Sequence, residues 1–284
     1  MTIATSSALA PLEHVTAASG ETYAYRRFGV QGAVPVLFLQ HFRGSIDNWD
    51  PALVDGIAGS HDVILFDSLG VAGSSGVTPS TVEGMVASAA EFVRALGVSQ
   101  VDLFGFSLGG FVAQALALAE PTLVRRLVLA STGPKGAPGM ERWAPDVVER
   151  LVANDSPGAG DILYVFNAPT ETSQAAGGAS LGRIFTRQDG RDAEVSLATR
   201  DAQYQAILAW GVQDWSAVKQ LTQLTQPTLV LQGDNDIMIP TQASHTLAGL
   251  IPNAELVIYP DASHGAIFQF VDEVASKVTE FLGR

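Results

Sequence analysis

The sequence lacks cysteine altogether and also lacks any long apolar run. Without cysteine the chain has no disulfide framework, no thiolate nucleophile and no cysteine metal site. The sequence contains no uninterrupted run of 18 apolar residues, and no Lys or Arg precedes an apolar run in residues 1–12. Neither a membrane span nor a secretory signal is therefore predicted, and we expect a cytoplasmic protein.

Positive charge is also scarce, because 16 Lys and Arg residues stand against 29 Asp and Glu residues, for a net charge of −13. Nucleic acids and anionic membrane surfaces are bound by clustered Lys and Arg, so we expect neither as a partner. The glycine-rich stretches lack the lysine of a nucleotide-binding P-loop, and no H-E-x-x-H or paired-histidine pattern occurs. We accordingly expect no cofactor and no metal.

Apolar residues make up 47% of the chain, which is enough for one sizeable core. Short runs rich in Val, Leu, Ile and Phe alternate with longer segments of helical spacing, a pattern typical of an α/β fold with a mostly parallel sheet. The predicted strands are Thr22–Phe28, Val34–Gln40, Asp62–Phe66, Gln100–Phe104, Val124–Leu129, Thr228–Gln232 and Glu255–Tyr259. The predicted helices are Thr81–Leu96, with Ser80 and Glu83 as a capping box, Leu108–Ala119, Thr241–Leu250 and Ile267–Leu282.

The strand pattern stops between residues 132 and 221. Helical stretches there are separated by glycine-rich loops, so we predict an inserted helical cap, 132–221, over a core formed by 1–131 and 222–284. Aromatic side chains are frequent in the insertion, and most should pack it onto the core. Some are expected to line an apolar substrate pocket instead, and the candidates are Trp143, Trp210 and Trp215.

The most informative motif is Gly105-Phe106-Ser107-Leu108-Gly109, which follows a predicted strand and precedes a predicted helix. A serine at such a sharp turn has a strained backbone, and small residues two before and two after it avoid collisions with neighbouring elements. The turn exposes Ser107 above the sheet edge, and the following helix directs N–H groups at developing negative charge. The pattern predicts that Ser107 is a catalytic nucleophile.

A serine hydroxyl is a weak nucleophile at neutral pH, so a catalytic Ser107 needs a general base. His264 is the candidate, because it follows the last predicted strand, where the order serine, acid, histidine places the base. Three other histidines are less suited: His14 lies near the start, His61 precedes a strand and His245 lies in a polar helix. We expect surface positions for those three.

The acid is expected between the serine and the histidine, after a strand. Asp234 and Asp236 both follow the predicted strand Thr228–Gln232. A carboxylate there would accept the imidazole N–H of His264, hold its tautomer and stabilise the imidazolium. Either aspartate could instead cap the next helix or brace the turn, so the position alone leaves both open.

Together these motifs resemble those of the α/β-hydrolase superfamily, in particular its cap-bearing serine esterases, lactonases and cofactor-free haloperoxidase-like members. The resemblance covers nearly the whole chain. It is carried by the turn around Ser107, by Gly233-x-x-Asp236-x-x-x-Pro240 and by the stretch around His264. It implies that the acid is Asp236, four residues before Pro240.

The resemblance also implies an oxyanion hole formed by two backbone N–H groups. One belongs to Leu108, the residue after the nucleophile, and the other to Phe42, in the loop after the second predicted strand. In that loop Gln40-His41 stands where the family usually has His-Gly. We expect the side chains of His41 and Arg43 to brace the loop or to contact substrate.

The implied reaction is hydrolysis of a small-molecule ester or lactone through an acyl-enzyme. Carbon–carbon bond hydrolysis and cofactor-free perhydrolysis use the same residues and stay open, as does the oligomeric state. Dehalogenation and epoxide opening are disfavoured, because they need a nucleophilic aspartate where this chain has Ser107. A non-catalytic protein that binds a small ligand is the alternative of another class, and the intact set of candidate residues disfavours it.

Overall fold

A computed structural model of the chain describes residues 6–32, 34–187 and 189–284. Residues 1–5 and 33 of the predicted core, and residue 188 of the predicted insertion, lie outside the described residues. The described chain forms an eight-stranded sheet. Its strands are β1 (Glu13–Thr16), β2 (Thr22–Gly29), β3 (Val36–Leu39), β4 (Asp62–Phe66), β5 (Val101–Phe106), β6 (Val124–Ala130), β7 (Thr228–Gly233) and β8 (Ala254–Tyr259).

The strands lie side by side in the order β1-β2-β4-β3-β5-β6-β7-β8. β1 and β2 are antiparallel to their neighbours, and β3 to β8 run parallel. Every residue of β3, β4, β5 and β7 is buried, as expected for strands covered on both faces. The carboxyl ends of the parallel strands therefore share one edge of the sheet.

Helices flank the sheet, and α1 packs against α11 while α2 packs against α3. Their bounds are α1 (Pro51–Ala58), α2 (Val82–Ala95), α3 (Leu108–Ala119), α4 (Pro145–Val148), α5 (Ala159–Phe166), α6 (Glu171–Ile184), α7 (Leu197–Gly211), α8 (Trp215–Lys219), α9 (Thr241–Leu250), α10 (Ala266–Gln269) and α11 (Val271–Leu282). The predicted α/β architecture, a mostly parallel sheet with flanking helices, is confirmed.

The chain between β6 and β7, which we call the helical segment, contains α4 to α8 and no strand among its described residues. It lies where the strand pattern of the sequence stops. The division of the chain into a core and a cap stays a prediction. In the described part of the chain, no helix combines the length and the apolar character that crossing a bilayer needs.

Some local features differ from the sequence prediction. β1 is not predicted, because its four residues lie at the sheet edge and include one large apolar side chain, Val15. The last predicted helix is divided at Phe270 into α10 and α11. The capping box at Ser80 is wrong: α2 begins one residue later, and the hydroxyl of Thr81 accepts the N–H of Gly84 at 3.1 Å.

Candidate active site

The turn from β5 into α3 holds Ser107 in a strained conformation. Its φ of 55° and ψ of −117° lie outside the regions that a non-glycine residue adopts without strain. A Cβ on Gly105 would lie 2.6 Å from the carbonyl oxygen of Gly109, and a Cβ on Gly109 would lie 1.9 Å from that of Leu39. Because those neighbours are backbone atoms that cannot rotate away, both positions require glycine.

Two hydrogen bonds hold the backbone of this turn to the end of β6. The N–H of Ser107 donates to the carbonyl of Ala130 at 2.9 Å, and the hydroxyl of Thr132 donates to the carbonyl of Ser107 at 2.9 Å. Sequence reasoning missed Thr132, since a threonine after a strand carries no signal of its own. The hydroxyl of Ser107 is hydrogen-bonded to none of the residues that the structure describes.

The backbone N–H groups of Phe42 and Leu108 have no hydrogen-bond partner among the described residues, although both residues are buried. Leu108 is the first residue of α3, where an N–H has no intrahelical acceptor. A cavity of 30 Å³ is bordered by both His41 and Leu108, so the two loops face the same space. Free N–H donors in such a place are what an oxyanion hole requires.

The loop of residues 40–45, which we call the oxyanion loop, is tied to the helical segment. Arg43 has a φ of 62°, and its backbone N–H donates to Oε1 of Gln203 on α7 at 2.8 Å. The guanidinium of Arg43 donates to the backbone carbonyls of Leu151 and Asn154 at 3.1 and 2.9 Å. The position of the loop thus depends on the side chains of Arg43 and Gln203. The sequence predicted a bracing role for Arg43 but not for Gln203.

His264 and Asp236 form a buried pair, with Nδ1 of the imidazole 2.8 Å from Oδ2 of the carboxylate. Oδ2 also accepts the side-chain amide of Gln232 at 3.0 Å, and Oδ1 accepts the N–H groups of Met238 and Ile239 at 2.8 and 2.9 Å. Four donors therefore fix the carboxylate. Since a carboxylate accepts, the proton of a neutral His264 is on Nδ1, which leaves Nε2 as the basic atom.

Asp234, the other candidate acid, lies at the surface. Its carboxylate accepts the N–H of Ala262 at 3.2 Å and the side-chain amide of Asn235 at 2.6 Å. It therefore braces the turn, which is one of the two roles that the sequence left open. The structure places Asp236, and not Asp234, beside the imidazole.

Residues 261–265, which we call the histidine loop, lie directly on the end of β7. A Cβ on Gly233 would lie 2.4 Å from the carbonyl oxygens of both Ala262 and Ser263. Glycine at this position therefore lets the loop approach closely enough for His264 to reach the acid on the same strand end.

The helical segment holds the histidine loop through backbone carbonyls. The hydroxyl of Ser263 donates to the carbonyl of Val165 at 2.9 Å, and the N–H of Gly265 donates to the carbonyl of Phe166 at 2.7 Å. Both acceptors lie at the end of α5. The base is thus fixed between the sheet and one helix of the segment.

The serine turn and the histidine loop meet at the carboxyl edge of the sheet. The ring of Phe106, the residue before Ser107, lies 5.2 Å from the ring of His264. Among the described residues no hydrogen bond joins Ser107 to His264. Such catalytic hydrogen bonds commonly tighten only when substrate is bound.

A cavity of 240 Å³ lies beside the histidine loop. Gly265 and Phe268 form one wall, and Phe166 with residues of α5 and α6 forms the other. None of the described residues that line it is Asp, Glu, Lys or Arg. His41 borders both this cavity and the smaller one, and Leu108 borders the smaller one.

The predictions for Trp215 and Trp210 need correction, because neither residue lines the two cavities beside His41. Trp215 is 61% exposed on α8. Trp210 is buried and stacks on Phe111, with the ring centroids 5.0 Å apart. Its indole N–H donates to the carbonyl of Gly133 at 3.1 Å, so its polar atom is satisfied within the core.

Trp143 is also absent from the lining of both cavities, and its place in a substrate pocket stays a prediction. Its ring packs edge-on against that of Phe42, with the centroids 5.3 Å apart, so it supports the oxyanion loop. The aromatic lining comes from Phe166, Phe185 and Phe268 instead. Sequence reasoning had counted the first two among the aromatic residues of the insertion without assigning them to the pocket.

Comparisons with known proteins agree with this architecture. A family model described as alpha/beta hydrolase fold matches residues 34–271. A solved structure of an alpha/beta hydrolase fold protein from Chitinophaga pinensis is 36% identical and has a TM-score of 0.91, with 97% of this chain and 98% of that chain covered.

Two curated relatives are similar over most of their length. A poly(3-hydroxyalkanoate) depolymerase from Ectopseudomonas oleovorans is 29% identical over 232 residues, 78% of this chain and 75% of the relative. A non-heme haloperoxidase from Rhodococcus erythropolis is 28% identical over 285 residues, 94% of this chain and 98% of the relative.

Proposed function

The chain belongs to the α/β-hydrolase fold family and is an enzyme of that superfamily, and from this premise we propose that it hydrolyses a carboxylic ester or a lactone. The observation that carries the proposal is the arrangement at the carboxyl edge of the sheet. Ser107 lies there at a strained turn, His264 is 2.8 Å from Asp236, and the N–H groups of Phe42 and Leu108 have no partner among the described residues. The substrate would be a small molecule, since the cavity beside the histidine loop measures 240 Å³.

The acylation step uses each of these groups once. Nε2 of His264 takes the proton of the Ser107 hydroxyl while Oγ attacks the carbonyl carbon, and the imidazolium is stabilised by Asp236. The carbonyl oxygen becomes an oxyanion that accepts the N–H groups of Phe42 and Leu108. When the intermediate collapses, His264 returns the proton to the leaving alcohol, and the acyl group stays on Ser107.

Deacylation repeats the same proton transfers with water. Nε2 of His264 takes a proton from water, whose oxygen attacks the acyl carbon, and the same two N–H groups bind the second oxyanion. Collapse releases the carboxylic acid and returns the proton to Ser107. With a lactone, the leaving alcohol remains attached to the acyl chain, so one hydroxy acid is the product.

Cofactor-free perhydrolysis and carbon–carbon bond hydrolysis use the same residues. The two relatives do not favour one of these reactions, since one is named a depolymerase and the other a haloperoxidase. Ester or lactone hydrolysis is preferred because it requires only the serine, the base, the acid and the oxyanion donors. A ligand-binding role without catalysis would not require a base whose acid is held by four donors.

The proposal is tested by labelling with a fluorophosphonate, followed by peptide mass mapping and by assays on esters, lactones and ring-cleavage diketones. We expect the label on Ser107, and we expect Ser107→Ala to abolish both labelling and ester or lactone hydrolysis. Ser276→Ala, an exposed position on α11, is the matched control and should keep both. Label on another residue with Ser107 unmodified, or turnover of diketones alone, would contradict the proposal.

A further inference from the structure

His41 borders the larger cavity and lies next to the turn that holds the nucleophile. Its ring packs edge-on against Phe106, the residue before the nucleophile, at 5.2 Å, and against Phe166 of α5 at 5.4 Å. It lines both the larger and the smaller cavity. A substrate that is bound at Ser107 and extends into the larger cavity would therefore contact this ring.

The hydrogen bonding of His41 determines which of its nitrogens a substrate meets. Nδ1 lies 2.8 Å from the backbone carbonyl of Phe42. A carbonyl oxygen only accepts, so Nδ1 carries a proton. Burial, together with the nearby His264, lowers the pKa of His41 to about 4 although the Phe42 carbonyl opposes this shift. At neutral pH the ring is uncharged, and Nε2 is a hydrogen-bond acceptor with no partner among the described residues.

The larger cavity carries no charge to balance an ionised substrate. Its walls are mostly apolar, with Ile162, Phe166, Leu181 and Ile184 on the helical side, and no charged residue lines it in the described part of the chain. Burying a carboxylate there without a cation would be strongly unfavourable. Uncharged substrates are therefore favoured, and a hydroxyl or another O–H donor is the group that the acceptor on His41 can recognise.

We propose that the substrate class is an uncharged ester or lactone bearing a hydroxyl group, and that Nε2 of His41 accepts the hydrogen bond of this hydroxyl. The inference rests on the proposed hydrolysis at Ser107 and adds a specificity-determining residue to it. The hydroxyl belongs either to the acyl part or to the alcohol part of the ester. The chemistry recognised is the same in both cases.

The test compares hydroxylated esters with methyl ethers that keep the oxygen but lack the donor. Ethyl 3-hydroxybutyrate against ethyl 3-methoxybutyrate probes the acyl part, and 2-hydroxyethyl butyrate against 2-methoxyethyl butyrate probes the alcohol part. In the pair whose hydroxyl reaches His41, we expect kcat/KM of the hydroxylated ester to exceed that of the methyl ether by about 10-fold. This is the effect expected from one hydrogen bond. In His41→Phe, which keeps an aromatic ring without the acceptor, that ratio should fall to about 1.

A third arm tests the exclusion of charge. Monoethyl succinate carries a carboxylate on a chain similar to that of ethyl butyrate, and we expect its kcat/KM to be lower by about 100-fold. His245→Phe, at an exposed position on α9, is the matched control and should keep the wild-type ratios in all arms. Equal rates for the charged and uncharged esters would overturn the assignment of an uncharged substrate.

The outcomes separate the two proposals. If the wild type hydrolyses the esters and the hydroxyl-to-methoxy ratio is near 1 in both pairs, or is unchanged in His41→Phe, the role of His41 is wrong while the proposed function stands. If it hydrolyses neither esters nor lactones, the proposed function is wrong and the inference falls with it. ¹H–¹⁵N spectra of the histidine rings add a readout that needs no variant, and a proton on Nε2 of His41 at neutral pH would also overturn the inference.

Discussion

The oxyanion loop and the histidine loop are both held by the helical segment, but their backbone N–H groups have different acceptors. The N–H of Arg43 in the oxyanion loop donates to the side chain of Gln203. The N–H of Gly265 in the histidine loop donates to the backbone carbonyl of Phe166. A backbone carbonyl is present whatever residue is there, whereas one substitution removes a side chain. The oxyanion donors are therefore the half of the site that single substitutions alter more easily.

The largest expected effect comes from the acid that orients the base within the histidine loop. Asp236→Asn should lower kcat by about 10³ to 10⁴, as an Asp-to-Asn change does in a serine protease triad, because an amide disfavours the required tautomer and the imidazolium. KM should change much less. Steady-state kinetics on the folded variant measures both constants.

Asp234→Asn is the matched control for this prediction. Asp234 braces the same loop through the N–H of Ala262 without contacting the imidazole, so its loss should act through turn stability and cost far less turnover. A larger fall in kcat for Asp234→Asn than for Asp236→Asn would reverse the assignment of the acid.

The close approach of the histidine loop to β7 gives the next largest effect. Gly233→Ala places a methyl group within 2.4 Å of two backbone carbonyls, which should lower the free energy of unfolding by about 1–3 kcal/mol, as overpacking does. Gly249→Ala, in α9 with no atom within 4 Å of the added methyl group, should instead raise it by up to about 1 kcal/mol. Chemical denaturation measures the free energy of unfolding of both variants. If it changes in the same direction in both, the packing argument is wrong.

The smallest effect is expected at the link between the oxyanion loop and α7. Gln203→Leu removes the acceptor of the Arg43 N–H, which should lower kcat by about 5- to 10-fold with little change in KM, because the oxyanion donors act mainly in the transition state. Gln205→Leu, at an exposed position on the same helix, should leave kcat unchanged. If both variants lose turnover equally, the link does not position the loop.

The sequence allowed the sheet and the serine turn to be predicted because their signals are local. Buried parallel strands such as Asp62–Phe66 are apolar at every position after the first, and the glycines around Ser107 are required within five consecutive residues. α1 also has a local signal that was not used: Asp50 caps it, and Pro51 is its first residue.

The contacts that the sequence did not predict join distant parts of the chain. Gln203 is 160 residues from Arg43, and no short motif encodes that pairing. The pocket predictions for Trp210 and Trp215 were wrong for a related reason. Aromatic content shows that a segment has side chains to bury, but only the packing of the helices decides that Trp210 stacks on Phe111 while Trp215 faces solvent.

The backbone carbonyls of Val165 and Phe166, at the end of α5, also affect how the helical segment can diversify in evolution. The hydrogen bonds of Ser263 and Gly265 are accepted by the main-chain carbonyls of Val165 and Phe166, and only the ring of Phe166 also contacts that of His264. Other residues of α5 that face the cavity, such as Ile162, are therefore free to change with the substrate. What must persist is the path of the main chain at these two residues. Selection can therefore remodel the cavity wall and leave the chemistry at His264 intact.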